Sequence, residues 1–155
     1  MKLIAHRGLI DGPNEVLENR PEHIRRAIKL GYDCEIDLWA TDSKLYLGHD
    51  TADYPISEGF LKQGGLWIHC KNVEAVEYCL DDIKLNYFWH DKDDRTITSK
   101  GYIWTYPEKA LTKWSIRLLP EWHDPEFKTI LETTCYGICS DYVGRIKDII
   151  ANGQN

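Results

Sequence analysis

No stretch of this sequence approaches the roughly 20 consecutive apolar residues that a membrane-spanning helix needs. The first residues, MKLIAHRG, have neither the long apolar segment nor the small-residue cleavage site of a secretory signal. Runs of Lys and Arg are also missing, and a net charge of −6 gives no electrostatic footprint for nucleic acid. The Gly-rich dinucleotide fingerprint and the phosphate-binding P-loop are absent. Cysteine is scarce and irregular. The five cysteines, at 34, 70, 79, 135 and 139, have no framework spacing, and the C-x₃-C of Cys135 and Cys139 lacks a second pair to complete a zinc site. These absences lead to the expectation of a cytoplasmic chain with no nucleic-acid partner and no integral membrane contact.

No linker, repeat or low-complexity segment divides the 155 residues, so residues 1–155 are read as one domain, long enough to bury a core. Short apolar runs alternate with helical patterns. LIAH, YDCEIDLWA, GLWIHCK, NYFWH, YIWTY, SIRLLPE and YGICSDY carry the β-branched and aromatic residues that suit strands. Helices are expected over NRPEHIRRAIKLG, where Pro21 suits the first turn and Gly31 the exit, and over NVEAVEYCLDDIKL, where Asn72 is the cap and Val73, Val76, Leu80 and Ile83 form the apolar face. HDPEFKTILETT, capped by Asp124, and GRIKDIIANG are two more, and a short turn is expected over 57–63. Strands alternating with helices predict a parallel α/β architecture, which either a closed barrel or an open doubly wound sheet would satisfy.

Period-two reading of two strands sorts their side chains. In DCEIDLW, Cys34, Ile36 and Leu38 share one face, and Glu35 and Asp37 share the other. In LWIHCK, Ile68 and Cys70 face the helices, while Trp67, His69 and Lys71 point the opposite way. Two buried carboxylates at i and i+2 repel, and each unpaired buried charge costs several kcal/mol. They need a divalent cation, basic neighbours or a shifted pKa. The plain alternative is a set of salt bridges to Lys71 and Arg7. In a barrel these inward faces meet at its mouth. His90, otherwise part of the solvated WHDKDD loop, and Trp104, otherwise packed, are candidates to face it, and Asp141 either orients a mouth residue or ends a strand.

HRG at residues 6–8, ENRPEHIRRAIKLGYDCEIDLWAT and LYLGHD, in this order, resemble the signature of the glycerophosphodiester phosphodiesterase family: HRG, P-E-N-T opening a helix, E-x-D on the second strand, then H-D. GICSDY resembles its last strand. The resemblance implies a (β/α) TIM-type barrel with a divalent metal at its mouth, Mg²⁺ or Ca²⁺ with Mn²⁺ as a third choice, and cleavage of a small-molecule phosphodiester of glycerol, as in lipid metabolism. Carried over, His6 and His49 would be general acid and base. Arg7, Asn19 and Lys71 would contact the phosphate, and Glu35, Asp37 and Glu18, with His69, would surround the metal. The nucleophile would be a neighbouring hydroxyl of the substrate.

The chain departs from the family pattern in three places. The third-strand E-x-K reads His69-Cys70-Lys71, and an imidazole favours softer divalent ions. P-E-N-T reads Leu17-Glu18-Asn19-Arg20. The length falls well below the about 250 residues of a complete TIM barrel, so a barrel reduced or distorted in its C-terminal half is expected. Missing helices would bare outer strand faces and allow a homodimer. A catalytically degenerate module that binds a phosphorylated ligand is the alternative function.

Overall fold

The computed structural model describes residues 1–153. Its ten strands are β1 (Lys2–Ala5), β2 (Asp33–Thr41), β3 (Lys44–Leu47), β4 (Tyr54–Ile56), β5 (Leu66–Cys70), β6 (Tyr87–Phe88), β7 (Arg95–Ile97), β8 (Ile103–Thr105), β9 (Ser115–Leu118) and β10 (Gly137–Ser140). The four helices are α1 (Pro21–Lys29), α2 (Glu58–Leu61), α3 (Val73–Leu80) and α4 (Val143–Gly153), with 3₁₀ turns at His6–Gly8 and Pro120–Trp122. All seven strand runs read from the sequence form strands. Three of the four long helical patterns form helices, as does the short one.

The strands make one curled mixed sheet in the order β4-β3-β2-β1-β10-β9-β8-β7, with β5 joined to β2 and β6 to β5. The nine-residue β2 is the hub. Its start pairs with β1, its middle with β5 on the other edge, and its end with β3 beyond β1.

The expected TIM-type barrel of alternating strands and helices is not what forms. The β2–β3, β3–β4 and β7–β8 pairings are antiparallel, and among the described residues no α-helix occurs between α3 and α4. Parallel neighbours need a crossover of a dozen or more residues, usually helical. Residues 98–102 have room only for a tight turn, so β7 folds back on β8. Likewise, residues 42–43 join β2 to β3, with Asp42 and Ser43 both at positive φ.

The helix expected from Asp124 is also missing. Asp124 caps no helix and instead ties a loop, accepting hydrogen bonds from the Lys128 and Thr129 amides at 3.0 and 2.8 Å. The buried Phe127 takes φ +58°, which ends any helical path, and its ring packs with Ile130, Ile138 and Ile146. In α3 the buried residues are Ala75 and Cys79, whereas Val73 and Leu80 are each 60% exposed. The smaller side chains let the helix lie close to β5, where Cys79 Sγ is 3.9 Å from Cys70 Sγ.

The sheet separates two apolar layers. Cys34, Ile36, Leu38, Ile68 and Cys70 pack outward with Ile24, Ala27, Ala75 and Cys79. Inside the curl, Ile4, Trp67, Phe88, Trp104, Ile116 and Leu118 pack together, with Phe88 stacked on Trp104 at a centroid distance of 4.6 Å. All five cysteines are free thiols, and among the described residues no helix is long and apolar enough to cross a membrane.

Candidate functional site

Strand register assembles the floor of the site. In the parallel β2–β5 pair Asp37 lies opposite His69, and Glu35 opposite Trp67. Glu35, Asp37 and His69 therefore share the inner face, and Lys71 follows at the end of β5. The segments after β1, β3, β6, β8, β9 and β10 surround an open cavity of about 780 Å³ above them. Its lining includes His6, Arg7, Glu18, Glu35, Asp37, His49, His69, Lys71, His90, Tyr106, Trp122 and Asp141.

Asp37 is the most heavily engaged group. It is 1% exposed, and its Oδ2 accepts a hydrogen bond from Asn19 Nδ2 at 2.8 Å, while Asn19 Oδ1 accepts from the Asp37 amide at 2.9 Å. His49 Nδ1 lies 3.3 Å from Oδ2, and His69 Nδ1 and Lys71 Nζ lie 3.0 and 3.4 Å from Oδ1. Burial pushes the carboxyl up, but the hydrogen bonds of His49 and His69 and the charges of His69 and Lys71 outweigh it. Asp37 is held well below the usual carboxylate range.

Glu35 has the opposite character. It is 2% exposed, and burial together with the Asp37 charge raises its carboxyl above the usual range. Its Oε2 accepts the Arg7 amide at 3.0 Å, and its Oε1 faces His69 Nδ1 at 3.9 Å, beyond hydrogen-bond reach. Donor atoms of Glu35, Asp37 and His69 all lie within 4.8 Å of one another. Two carboxylate oxygens and an imidazole nitrogen at this spacing suit a divalent cation, which would offset their repulsion.

The HRG turn places two further groups. Gly8 has φ +78°, and a Cβ there would meet Ile24 of α1 at 3.0 Å, so only glycine lets the turn lie against the helix. Arg7 itself has φ +51°, held by its amide bond to Glu35 and by the Asn19 amide donating to its carbonyl at 2.9 Å. Its guanidinium donates to Glu18 at 2.9 Å and to His49 Nε2 at 3.1 Å. Its Nε lies 3.3 Å from Asp37 Oδ2 but without hydrogen-bond geometry, so that contact is charge attraction only.

The two histidines have assignable tautomers. A guanidinium only donates, so His49 accepts at Nε2 and carries its proton at Nδ1, toward Asp37. His6 Nδ1 lies 2.8 Å from Asp141 Oδ1 and so carries a proton, leaving Nε2 directed to the Glu35 side of the cavity at 4.0 Å. Burial lowers the His6 pKa, but the Asp141 hydrogen bond and the charges of Glu35 and Asp141 outweigh it and raise the ring above its ordinary value.

The structure therefore brings His6, Arg7, His49, Glu35, Asp37, His69 and Lys71 to one cavity. Glu18 also lines it, but is bound to Arg7 and lies outside the three-residue donor group. Asn19, read as a phosphate contact, is fully buried and instead fixes Asp37. The pairing of Asp141 with His6 resolves the two readings of that residue. What period-two reading missed is support from outside β2 and β5. His69 Nε2 bonds the His90 carbonyl at 2.9 Å, and its ring stacks on Phe88 at 5.1 Å and 8°. Glu121, on the turn after β9, accepts the Asp141 amide and the Ser140 hydroxyl, each at 2.9 Å. No family model, curated protein or solved structure matches the chain.

Proposed function

We propose that this protein is a metal-dependent phosphodiesterase that acts on a glycerol-containing phosphodiester in the cytoplasm, of the kind its HRG, E-x-D and H-D motifs resemble. One observation carries the reading: two histidines, His6 bound through Nδ1 to Asp141 and His49 through Nδ1 to Asp37, share a single cavity with three cation donors.

A phosphodiester is anionic, so charge developing on its oxygens must be offset. A divalent cation held by Glu35, Asp37 and His69 would act as a Lewis acid on a phosphoryl oxygen. Arg7 and Lys71 add positive charge beside the phosphate. His49, once Arg7 turns from its Nε2 to the phosphate, takes the proton of a neighbouring substrate hydroxyl at that nitrogen as the hydroxyl oxygen bonds to phosphorus. The bond from phosphorus to the leaving alcohol breaks, and His6 supplies the proton that alcohol needs from Nε2. Water then opens the resulting cyclic phosphate with the two roles reversed: His6 accepts the proton of water, and His49 returns one to the ring oxygen that leaves. No protein nucleophile is required. The raised His6 pKa suits its role as acid in the first step.

A phosphate-binding module without turnover is the second reading. It is favoured by His69, which stands where the family pattern has a carboxylate and so weakens the anionic set that would hold a hard cation. Hydrolysis of glycerophosphodiesters by the wild type, His6→Ala and His49→Ala separates the two. Each substitution should lower kcat about 10²- to 10⁴-fold, the usual range for losing a general acid or base. Equal rates in all three proteins would contradict the two-histidine mechanism.

A further inference from the structure

Imidazole ligands of metals donate their second ring nitrogen to a fixed acceptor, most often a carboxylate or a backbone carbonyl. His69 has this arrangement. A carbonyl only accepts, so the 2.9 Å contact with the His90 carbonyl puts a proton on Nε2. The other nitrogen, Nδ1, donates to the ionised Asp37 Oδ1 at 3.0 Å and lies 3.9 Å from Glu35 Oε1, so a cation bound among the three would take the place of that proton. Phe88, nearly parallel to the ring, fixes its plane. Position, plane and the Nε2 proton of this imidazole are thus each set by a different neighbour: β2 register, Phe88 and the His90 carbonyl. A surface ion pair would need none of the three.

We infer that His69 Nδ1 is a metal ligand and that it makes the site selective for a later first-row transition ion, such as Co²⁺ or Zn²⁺, over Mg²⁺ and Ca²⁺. The inference rests on the reading of Glu35, Asp37 and His69 as cation donors, and it reverses the choice of Mg²⁺ or Ca²⁺ drawn from family resemblance. Hard cations prefer all-oxygen sets, whereas imidazole suits the later first-row ions. Glu35 and Asp37 alone would leave the choice open. The nitrogen donor decides it.

Transition ions bind most sites more tightly than Mg²⁺, so the informative quantity is how the affinity ratio responds to residue 69. The metal-free chain is titrated, without substrate, with Co²⁺ followed by visible absorption and with Zn²⁺ followed by its displacement of Co²⁺. Mg²⁺ and Ca²⁺ are then used as competitors. The wild type should bind one equivalent of Co²⁺ or Zn²⁺. His69→Glu, which restores an all-oxygen set, should lower the Co²⁺-to-Mg²⁺ affinity ratio about 10- to 100-fold, the scale of losing a well-supported ligand. His69→Gln, which is neutral and of similar size, should lose the preference as well, and it decides the matter if the Glu variant does not fold. An unchanged ratio in a folded variant, or a wild type that binds no metal, overturns the inference. Because no substrate is present, an inactive protein with the expected selectivity would refute only the phosphodiesterase reading. Turnover supported by Mg²⁺ with an unchanged ratio would refute only this one.

Discussion

At the scale of single residues, the site is governed by how a few buried charges are satisfied. Asp37 stays ionised because two histidines, Lys71 and Asn19 surround it. Asn19→Ala would remove the reciprocal pair and leave the Asp37 amide unsatisfied, which costs about 1–3 kcal/mol. Urea unfolding should show that loss, and an unchanged midpoint would mean water replaces the amide. Glu121 gives a pH-dependent counterpart. Burial raises its carboxyl above the ordinary glutamate value of 4.5, although hydrogen bonds from the Asp141 amide and the Ser140 hydroxyl oppose the shift. The folded state then holds this proton more tightly than the unfolded chain. Its stabilising contribution is complete below pH 4.5 and is lost as pH rises through the raised folded value. In Glu121→Gln the same pH interval should show a flatter stability profile, since Gln can accept from the Asp141 amide without ionising. An equal slope in both proteins would contradict the assignment.

At the scale of elements, the turn His6–Gly8 follows β1 and lies against Ile24 of α1. Gly8→Ala meets both a positive φ and the Ile24 contact, and should cost about 1–3 kcal/mol by thermal unfolding. If stability does not change, the turn has rearranged and its place in the site needs revision. Alternation along β2 and β5 made Glu35, Asp37, His69 and Lys71 legible, because a strand with one apolar face turns its ionisable residues together to the opposite side. The support of His69 by Phe88 and the His90 carbonyl was not legible. It depends on β6 lying beside β5, and periodicity within one strand carries no information about its neighbour. The buried face of α3 departs from the sequence pattern for a related reason. Val73 and Leu80 fit a helical stripe, but closeness to β5 selects Ala75 and Cys79.

At the scale of the whole molecule, the strand sequence was readable and its closure was not. The order β1, β2, β5 around one side of the curl, and β8, β9, β10 around the other, brings strand ends to one mouth. Short connections then turn β3, β4 and β7 antiparallel, so the chain makes a curled mixed sheet rather than a barrel of βα units. The mouth nevertheless collects His6, His49, Arg7, Lys71 and the three cation donors, the groups the proposed chemistry asks of the scaffold. The most direct test follows the phosphorus of a glycerophosphodiester by ³¹P nuclear magnetic resonance. The wild-type protein is incubated with Mn²⁺, Co²⁺, Mg²⁺ or Ca²⁺, and in parallel with a chelator. The diester signal should give way to that of a phosphate monoester when a metal is present, and should persist with the chelator. A diester signal unchanged under every metal would contradict the proposed phosphodiesterase activity.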